Sequence, residues 1–304
     1  MSLQRTDERE FPWPLIDLRL ALLQHPIFLS CQSPESVQGR YRNTMPHLTT
    51  TTNGVETLNA ITQMVLDHYE RADPPKRILV SVSGIPGAGK STLARRLADN
   101  LNSLAFKKGL VPSATANTLT HANITNPAPS AFAVDIPMDG FHLSRAQLRA
   151  MEDPESAQHR RGAAFTYDSV GYCCLVEKLA RPINDGSSAG VVYAPAFDHA
   201  TKDPVADSIA ISSDTRIVIL EGNYVNLARE PWKSASGFFD LKLSVGVDRR
   251  VAKERLVKRH VVSGICEDEA SAVRRVESTD DLNAEDILAN EVDGVVSVSV
   301  AGDC

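Results

Sequence analysis

The feature that most constrains the fold of this chain is a glycine-rich loop at residues 84–91. It fits the pattern GxxxxGK[ST] at every fixed position, and with the next residue it reads Gly84, Ile85, Pro86, Gly87, Ala88, Gly89, Lys90, Ser91 and Thr92. A short β-rich run at residues 78–83 precedes the loop, and a stretch with helical spacing at residues 90–103 follows it. This pattern indicates a phosphate-binding loop when it lies between a strand and a helix. The sequence therefore predicts an α/β protein that binds a nucleotide.

The residue types in the loop suit phosphate chemistry. Glycines let backbone N–H groups turn toward phosphate oxygens where a side chain would clash, and the helix N-terminus adds partial positive charge. Lys90 can reach the β- and γ-phosphates, and the Ser91 hydroxyl can bind Mg²⁺. We expect residues 84–92 to bind ATP with Mg²⁺. The alternative, a glycine-rich turn that matches by chance, is disfavoured by the flanking strand and helix.

Strands and helices alternate along the rest of the chain. Further strands are predicted at residues 131–138, 215–220, 239–247 and 295–300, and helices at residues 15–23, 55–69, 169–179 and 248–262. This alternation predicts a doubly wound, mostly parallel sheet. We expect an N-terminal extension at residues 1–50 and a single domain at residues 51–304, with insertions near residues 113–130 and 184–190.

Composition excludes several classes of protein. The chain has 304 residues, of which 42% are hydrophobic and 23% charged, so it is not collagen-like, wholly disordered or a disulfide scaffold. The five cysteines have no metal-binding spacing, which favours free thiols in a reducing compartment. No secretory signal is visible, and the apolar stretch at residues 15–28 is interrupted by Asp17 and Arg19. We expect a cytoplasmic protein with no membrane partner.

The charges are unevenly distributed. The net charge is −6, but residues 264–304 carry eleven acidic residues against two arginines, so residues 1–263 are mildly basic. Residues 248–262 alone carry six lysines and arginines against two acids. No extended basic surface or nucleic-acid motif is evident, and we expect no nucleic-acid partner. A small polyanion such as ATP suits this distribution.

Two acidic residues directly follow predicted strands. Asp139 follows the strand at residues 131–138, and Glu221 follows the strand at residues 215–220. Ligands of open α/β sheets bind outside the carboxyl ends of the strands. A carboxylate there can accept the proton of an attacking hydroxyl or hold Mg²⁺, together with Ser91. The alternative is that these acids form turns or cap helices.

In order along the chain, the phosphate-binding loop, the segment MDGFH at residues 138–142, the segment EGNY at residues 221–224 and an arginine-bearing helix resemble the phosphoribulokinase/uridine kinase family of P-loop kinases. The resemblance covers about residues 77–290. Residues 160–168 resemble a segment of pantothenate kinases, and residues 193–199 resemble the family's substrate-side strand and loop.

The resemblance implies roles for individual residues. Asp139 would be the base that takes the proton of the acceptor hydroxyl, and Glu221 would assist Mg²⁺ or acceptor binding. The residues that would line the acceptor pocket are His142, Tyr193, Asp198 and His199. Arg255 and Arg259 lie four residues apart, on one helix face, where a helical lid would bring them to the transferring phosphoryl group. The alternative for these arginines is a solvated basic face.

The residues and the resemblance together predict an ATP-dependent kinase. It would transfer the γ-phosphoryl group to a hydroxyl of a small molecule, such as a nucleoside, pantothenate, a sugar or a sugar acid. The first alternative is a regulatory ATPase or GTPase switch, although the guanine signature NKxD is absent from the sequence. The second is a nucleotide-binding protein without catalysis, which the presence of Lys90, Ser91, Asp139 and Glu221 disfavours. The sequence leaves the acceptor and the oligomeric state open.

Overall fold

A parallel five-stranded sheet forms the centre of the described structure. The computed structural model describes residues 54–72, 76–110, 131–182 and 190–299. Its strands are β1 (Ile78–Ser83), β2 (Ala133–Pro137), β3 (Val192–Asp198), β4 (Asp203–Ile211), β5 (Ile217–Glu221), β6 (Leu241–Gly246) and β7 (Val296–Ser299). The sheet order is β2-β5-β1-β6-β7 with every neighbouring pair parallel, and β3 and β4 form a separate antiparallel hairpin.

Helices cover both faces of the sheet. They are α1 (Gly54–Arg71), α2 (Lys90–Lys107), α3 (Arg145–Arg149), α4 (Pro154–His159), α5 (Ser169–Ala180), α6 (Trp232–Ser236), α7 (Arg249–Val262), α8 (Glu269–Arg275) and α9 (Asp281–Ala289). A π-turn, Val276–Asp280, connects α8 to α9. Every residue of β1 and β5 is buried, as expected for central strands between two helical layers.

The two hydrophobic cores follow the alternation of side chains along the central strands. Val80 and Val82 of β1 pack with α1 and α2 on one face, whereas Leu79 packs with α5 and α6 on the other. The prediction of a doubly wound sheet is therefore confirmed, and the five described strands of this central sheet are all parallel. Each strand predicted from the sequence lies within two residues of an observed one.

The strand β4 and the short helices were not predicted. β4 contains Pro204, and most of its residues are half-buried or exposed, so it has no continuous apolar run. Helices α3 and α6 have five residues each, which is too short for a helical period to show in the sequence.

Several predictions concern residues outside the described ranges. These are the helix at residues 15–23, the extension at residues 1–50 and the insertions near residues 113–130 and 184–190, apart from Gly190. Within the described ranges, Cys173, Cys174 and Cys266 form no disulfide bond. None of the helices in those ranges combines the length and the apolar character needed to cross a membrane.

Candidate active site

The glycine-rich loop follows β1, the middle strand of the sheet, and leads directly into α2. Gly84, Gly87 and Gly89 all have positive φ angles, of 146°, 79° and 96°. At Gly87 a Cβ atom would lie only 2.6 Å from the carbonyl oxygen of Ala252 in α7. Glycine is thus required at position 87 both by the backbone angle and by the close approach of α7.

Replacing Gly87 by alanine is expected to destabilise the protein more than replacing Gly89. Both positions have positive φ angles, but a Cβ at Gly89 would meet nothing within 4 Å. The clash with α7 should add about 1–3 kcal/mol to the cost of G87A. Denaturant unfolding of G87A and G89A without nucleotide measures this difference. Equal stabilities would show that α7 does not pack on the loop as described.

Two buried side chains, Lys90 and Glu221, and the exposed Ser91 form a polar group where the loop meets β5. Lys90 is 8% exposed and donates through Nζ to the carbonyl oxygen of Ile85 at 3.0 Å. Glu221, 5% exposed, lies at the end of β5, beside Val82 of β1. The Ser91 hydroxyl donates to Oε1 of Glu221 at 2.8 Å. The arrangement brings together an ammonium, a hydroxyl and a carboxylate at the start of α2.

Burial shifts the pKa values of both charged members of this group. Desolvation lowers the pKa of Lys90 to about 8, although the carboxylates of Glu221 and Asp139 oppose the shift. Desolvation also raises the pKa of Glu221 to about 7, with Lys90 opposing it and Asp139 adding to it. Both groups therefore titrate near neutral pH, which is typical of functional sites.

A cavity of about 240 Å³ opens over the loop. The residues that line it are Gly87, Gly89, Lys90, Ser91, Thr92, Arg255, Leu256 and Arg259. Nη1 of Arg255 lies 3.5 Å from the carbonyl oxygen of Gly87. The pKa of Lys90 depends mainly on burial and on the carboxylates of Glu221 and Asp139. The positive charge of Arg259 has a smaller effect and lowers this pKa. The structure thus places both arginines beside the loop, in a cavity rich in positive charge.

The basic residues of α7 divide into two groups. Arg249 pairs with Glu285 at 3.6 Å, and Lys253 pairs with Glu277 at 2.7 Å. These partners belong to the acidic C-terminal part of the chain. Arg259, in contrast, forms no ion pair with any residue in the described ranges. One part of the basic helix is therefore neutralised by the C-terminal helices, and another part faces the cavity.

Asp139 lies in a 3₁₀ turn directly after β2, which is paired with β5. Its side chain is 54% exposed, and the hydroxyl of Tyr167 donates to its Oδ1 at 3.4 Å. Nδ1 of His142 lies 2.9 Å from the backbone oxygen of Asp139. A carbonyl oxygen only accepts, so Nδ1 carries the hydrogen. Burial lowers the pKa of His142, which favours the neutral imidazole.

Of the predicted acceptor residues, His142 and His199 come near one another. The His142 ring lies between Tyr167 and Phe197, with ring centroids 4.1 and 4.9 Å away, and His199 contacts Phe197 at 5.3 Å. Tyr193 is 49% exposed and alternates along β3 with buried neighbours.

The fourth predicted acceptor residue, Asp198, stabilises the turn between β3 and β4. Its carboxylate accepts from the amide of Ala200 at 2.8 Å and from the hydroxyl of Thr201 at 2.9 Å. Both interactions are local, within three residues, so the structure gives this carboxylate a turn-forming role.

Two residues near His142 were not among the predicted site residues. One is Tyr167, described above. The other is Arg161, whose Nη2 donates to Asp203 at 3.0 Å while its guanidinium lies 5.5 Å from the Phe197 ring centroid. Arg161 thereby links the hairpin to the segment before α5. Their spacing in the sequence gave no signal, because the contacts join segments far apart in the chain.

The site fits Mg²⁺ that arrives with a nucleotide. In the described ranges no group of three or more His, Cys, Asp or Glu residues is placed to hold a metal ion. Mg²⁺ commonly takes one or two protein oxygens and completes its shell with phosphate oxygens and water. The adjacent oxygens of Ser91 and Glu221 match that requirement. Burial and Lys90 have the largest effects on the pKa of Glu221, and Asp139 is close enough to have the next largest.

Similar proteins identify the family. A protein of Aspergillus versicolor named ATP-dependent kinase-like protein notR' is 54% identical over 155 residues, which cover 51% of this chain and 89% of that protein. A uridine kinase-like protein of Schizosaccharomyces pombe is 36% identical over 217 residues, covering 71% of this chain and 80% of that protein. The chain belongs to the uridine kinase-like P-loop kinases. No family model matches the chain.

The fold agrees with this assignment. The crystal structure of the Saccharomyces cerevisiae protein YFH7, described as a P-loop kinase with a circular permutation, superimposes with a TM-score of 0.65 at 26% identity. The match covers 83% of this chain and all of YFH7. The resemblance to P-loop kinases predicted from the sequence is therefore confirmed, and ATP use follows from it.

Proposed function

We propose that this uridine kinase-like P-loop protein transfers the γ-phosphoryl group of ATP to a hydroxyl group of a small molecule. The observation that carries the proposal is the placement of Asp139 relative to the loop. Strands β2, β5 and β1 are consecutive in the sheet, and Asp139, Glu221 and the loop follow their carboxyl ends. A half-exposed carboxylate thus lies beside the phosphate cavity, where an acceptor hydroxyl can approach it.

On the donor side, the chain supplies charge and orientation. Backbone N–H groups of residues 87–91 bind the phosphates, and Lys90, Arg255 and Arg259 stabilise the negative charge that spreads over the transferred group. Ser91 and Glu221 would hold Mg²⁺, which, when bound, would supply positive charge that neutralises the phosphates. The close packing of α7 on Gly87 supports the arginine roles, because it keeps the helix beside the phosphates.

On the acceptor side, Asp139 takes the proton of the attacking hydroxyl as its oxygen bonds to the γ-phosphorus and the bond from that phosphorus to the oxygen of ADP breaks, so that ADP leaves. The Tyr167 hydroxyl orients the carboxylate by donating to Oδ1. His142 and His199 contact the acceptor together with the Phe197 ring, whereas Asp198 holds the turn that places His199. Tyr193 remains a predicted pocket residue at the exposed side of β3.

The pH dependence of kcat/KM for ATP is expected to be bell-shaped. Glu221 must be ionised to hold Mg²⁺, so activity should fall below pH 7, where this residue of raised pKa becomes protonated. Lys90 must be protonated to bind phosphate, so activity should also fall above pH 8. Between pH 7 and pH 6 the loss should be about fivefold, because the ionised fraction of Glu221 falls from about one half to about one tenth. Initial rates from pH 5.5 to 9.5 test this, and a flat profile would contradict the assignment of Glu221.

A thermal-shift screen tests the proposed donor and acceptor. ATP or GTP with Mg²⁺ is added alone and together with nucleosides, pantothenate, glycerate or simple sugars. ATP at 100 times its Kd should stabilise the folded protein by about 2.7 kcal/mol, and the true acceptor should raise Tm further. Stabilisation by GTP alone, with no effect of any acceptor, would favour a regulatory switch instead.

A further inference from the structure

A buried pair of side chains connects the end of α7 to the C-terminal helices. Nε2 of His260 lies 2.9 Å from Oδ2 of Asp280, and the two side chains are only 6% and 14% exposed. An ionised carboxylate only accepts, so the hydrogen is on Nε2. The other ring nitrogen, Nδ1, is buried and has no hydrogen-bond partner in the described ranges. Within those ranges Asp280 is therefore the polar group that orients the imidazole.

This pair lies next to the phosphate cavity. His260 directly follows Arg259, which lines the cavity and has no ion pair within the described ranges. With no such partner to orient it, the direction of the Arg259 side chain depends on how the last turn of α7 is held. Asp280 also lies close enough to Lys90 for its negative charge to raise the pKa of that residue. This effect is smaller than those of burial, Glu221, Asp139 and Arg259.

Asp280 comes from an unusual piece of backbone. It is the last residue of the π-turn, in which the amide of Asp281 donates to the carbonyl oxygen of Val276, five residues earlier. Single π-turns within α-helices are uncommon and are frequent at functional sites. The neighbouring Thr279 is buried, and its hydroxyl also lacks a partner in the described ranges. In the described ranges two side chains of this turn hydrogen-bond to α7, Glu277 to Lys253 and Asp280 to His260, and the pair of Asp280 and His260 is the buried one.

We propose that Asp280 and His260 are positioning residues that fix the last turn of α7 so that Arg259 points into the phosphate cavity. The inference rests on the proposed function, in which Arg259 binds the γ-phosphoryl group. Neither Asp280 nor His260 contacts the nucleotide in this scheme. The chain also offers a matched control, because the exposed pair of Lys253 and Glu277 joins the same two parts of the chain from the solvent side.

The test compares two nucleotides that differ at the γ-position. The affinities of the full-length protein for Mg²⁺ with AMP-PNP and for Mg²⁺ with ADP are measured by calorimetry, and their ratio reports the contact with the γ-phosphoryl group. R259A should lower the preference for AMP-PNP about tenfold or more, as expected for a lost hydrogen bond to a charged group. D280A and H260A should lower it similarly, and E277Q should leave it unchanged.

Two further variants separate positioning from general destabilisation. In D280N the amide oxygen can still accept from His260, so the preference for AMP-PNP should be largely retained. In the double variant R259A/D280A the preference should be no lower than in R259A alone, because Asp280 acts through Arg259. Thermal unfolding of each variant without nucleotide confirms that it is folded before binding is measured.

The outcomes distinguish the two levels of the proposal. If R259A lowers the preference but folded D280A and H260A keep it, the positioning role is wrong while the proposed function stands. Full additivity of R259A and D280A would also overturn it. If R259A itself keeps the preference, Arg259 does not bind the γ-phosphoryl group, and its role in the proposed function fails together with the positioning role.

Discussion

Replacing Asp139 by asparagine is expected to lower the rate of phosphoryl transfer by about 10²–10⁴-fold, the usual contribution of a general base. Asparagine has nearly the same shape and can still accept from the Tyr167 hydroxyl, but it cannot take a proton from the acceptor. ATP binding should be unchanged or slightly tighter, because the substitution removes a negative charge that lies near Lys90 and Glu221.

The measurements are kcat at saturating ATP and acceptor, and ATP affinity by calorimetry. Asp153→Asn is a suitable control, since Asp153 caps α4 through the amide of Ser156 and asparagine caps helices equally well. That variant should behave like the original protein in both assays. Undiminished turnover in D139N would show that Asp139 is not the general base.

Replacing Lys90 by alanine is expected to lower kcat/KM for ATP by at least 10²–10³-fold, the cost of removing one preorganised donor to a developing charge. A second effect follows from burial. Because the ammonium of Lys90 opposes the upward shift of the pKa of Glu221, its loss should move that pKa further above 7. The carboxylate would then be mostly protonated at neutral pH and would hold Mg²⁺ poorly.

The two effects of the Lys90 substitution can be separated by pH. Raising the pH from 7 to 8.5 should restore part of the Mg²⁺ affinity of K90A, because Glu221 ionises. It should not restore kcat/KM to the original value, because the ammonium of Lys90 is still missing. Lys107→Ala, at the far end of the same helix, is the control and should leave both quantities unchanged. An active K90A variant with unaltered Mg²⁺ dependence would contradict the described site.

The phosphate side of the site was predictable because its signals are local. The loop at residues 84–91, the strand before it and the helix after it are contiguous in the sequence, and the fold requires them to be contiguous in space. Asp139 and Glu221 were also identifiable, since each directly follows a run of strand-forming residues. That Asp139 and Glu221 lie close to each other could not be predicted, because it depends on β5 lying between β1 and β2 in the sheet.

The acceptor side was less predictable for a physical reason. The contacts among His142, Tyr167 and Phe197 join three segments, and one of them belongs to a hairpin whose second strand is too exposed to show an apolar pattern. The pKa shifts of Lys90 and Glu221 likewise arise from burial, which only the packed structure reveals.

The charge distribution could be predicted in part from the sequence. The sequence showed a basic helix and an acidic C-terminal part, and the structure showed that Lys253 and Glu277 pair across them.

The most direct test of the proposed phosphoryl transfer is to follow phosphorus during a reaction with Mg²⁺-ATP and the acceptor found by the thermal-shift screen. Phosphorus NMR distinguishes ADP, inorganic phosphate and a phosphate ester in one sample. We expect ADP and a new phosphate ester to form in equal amounts, only when the acceptor is present, and D139N to form neither at a comparable rate. Formation of ADP and inorganic phosphate at a rate independent of every acceptor, and equal in D139N, would contradict the proposed transfer.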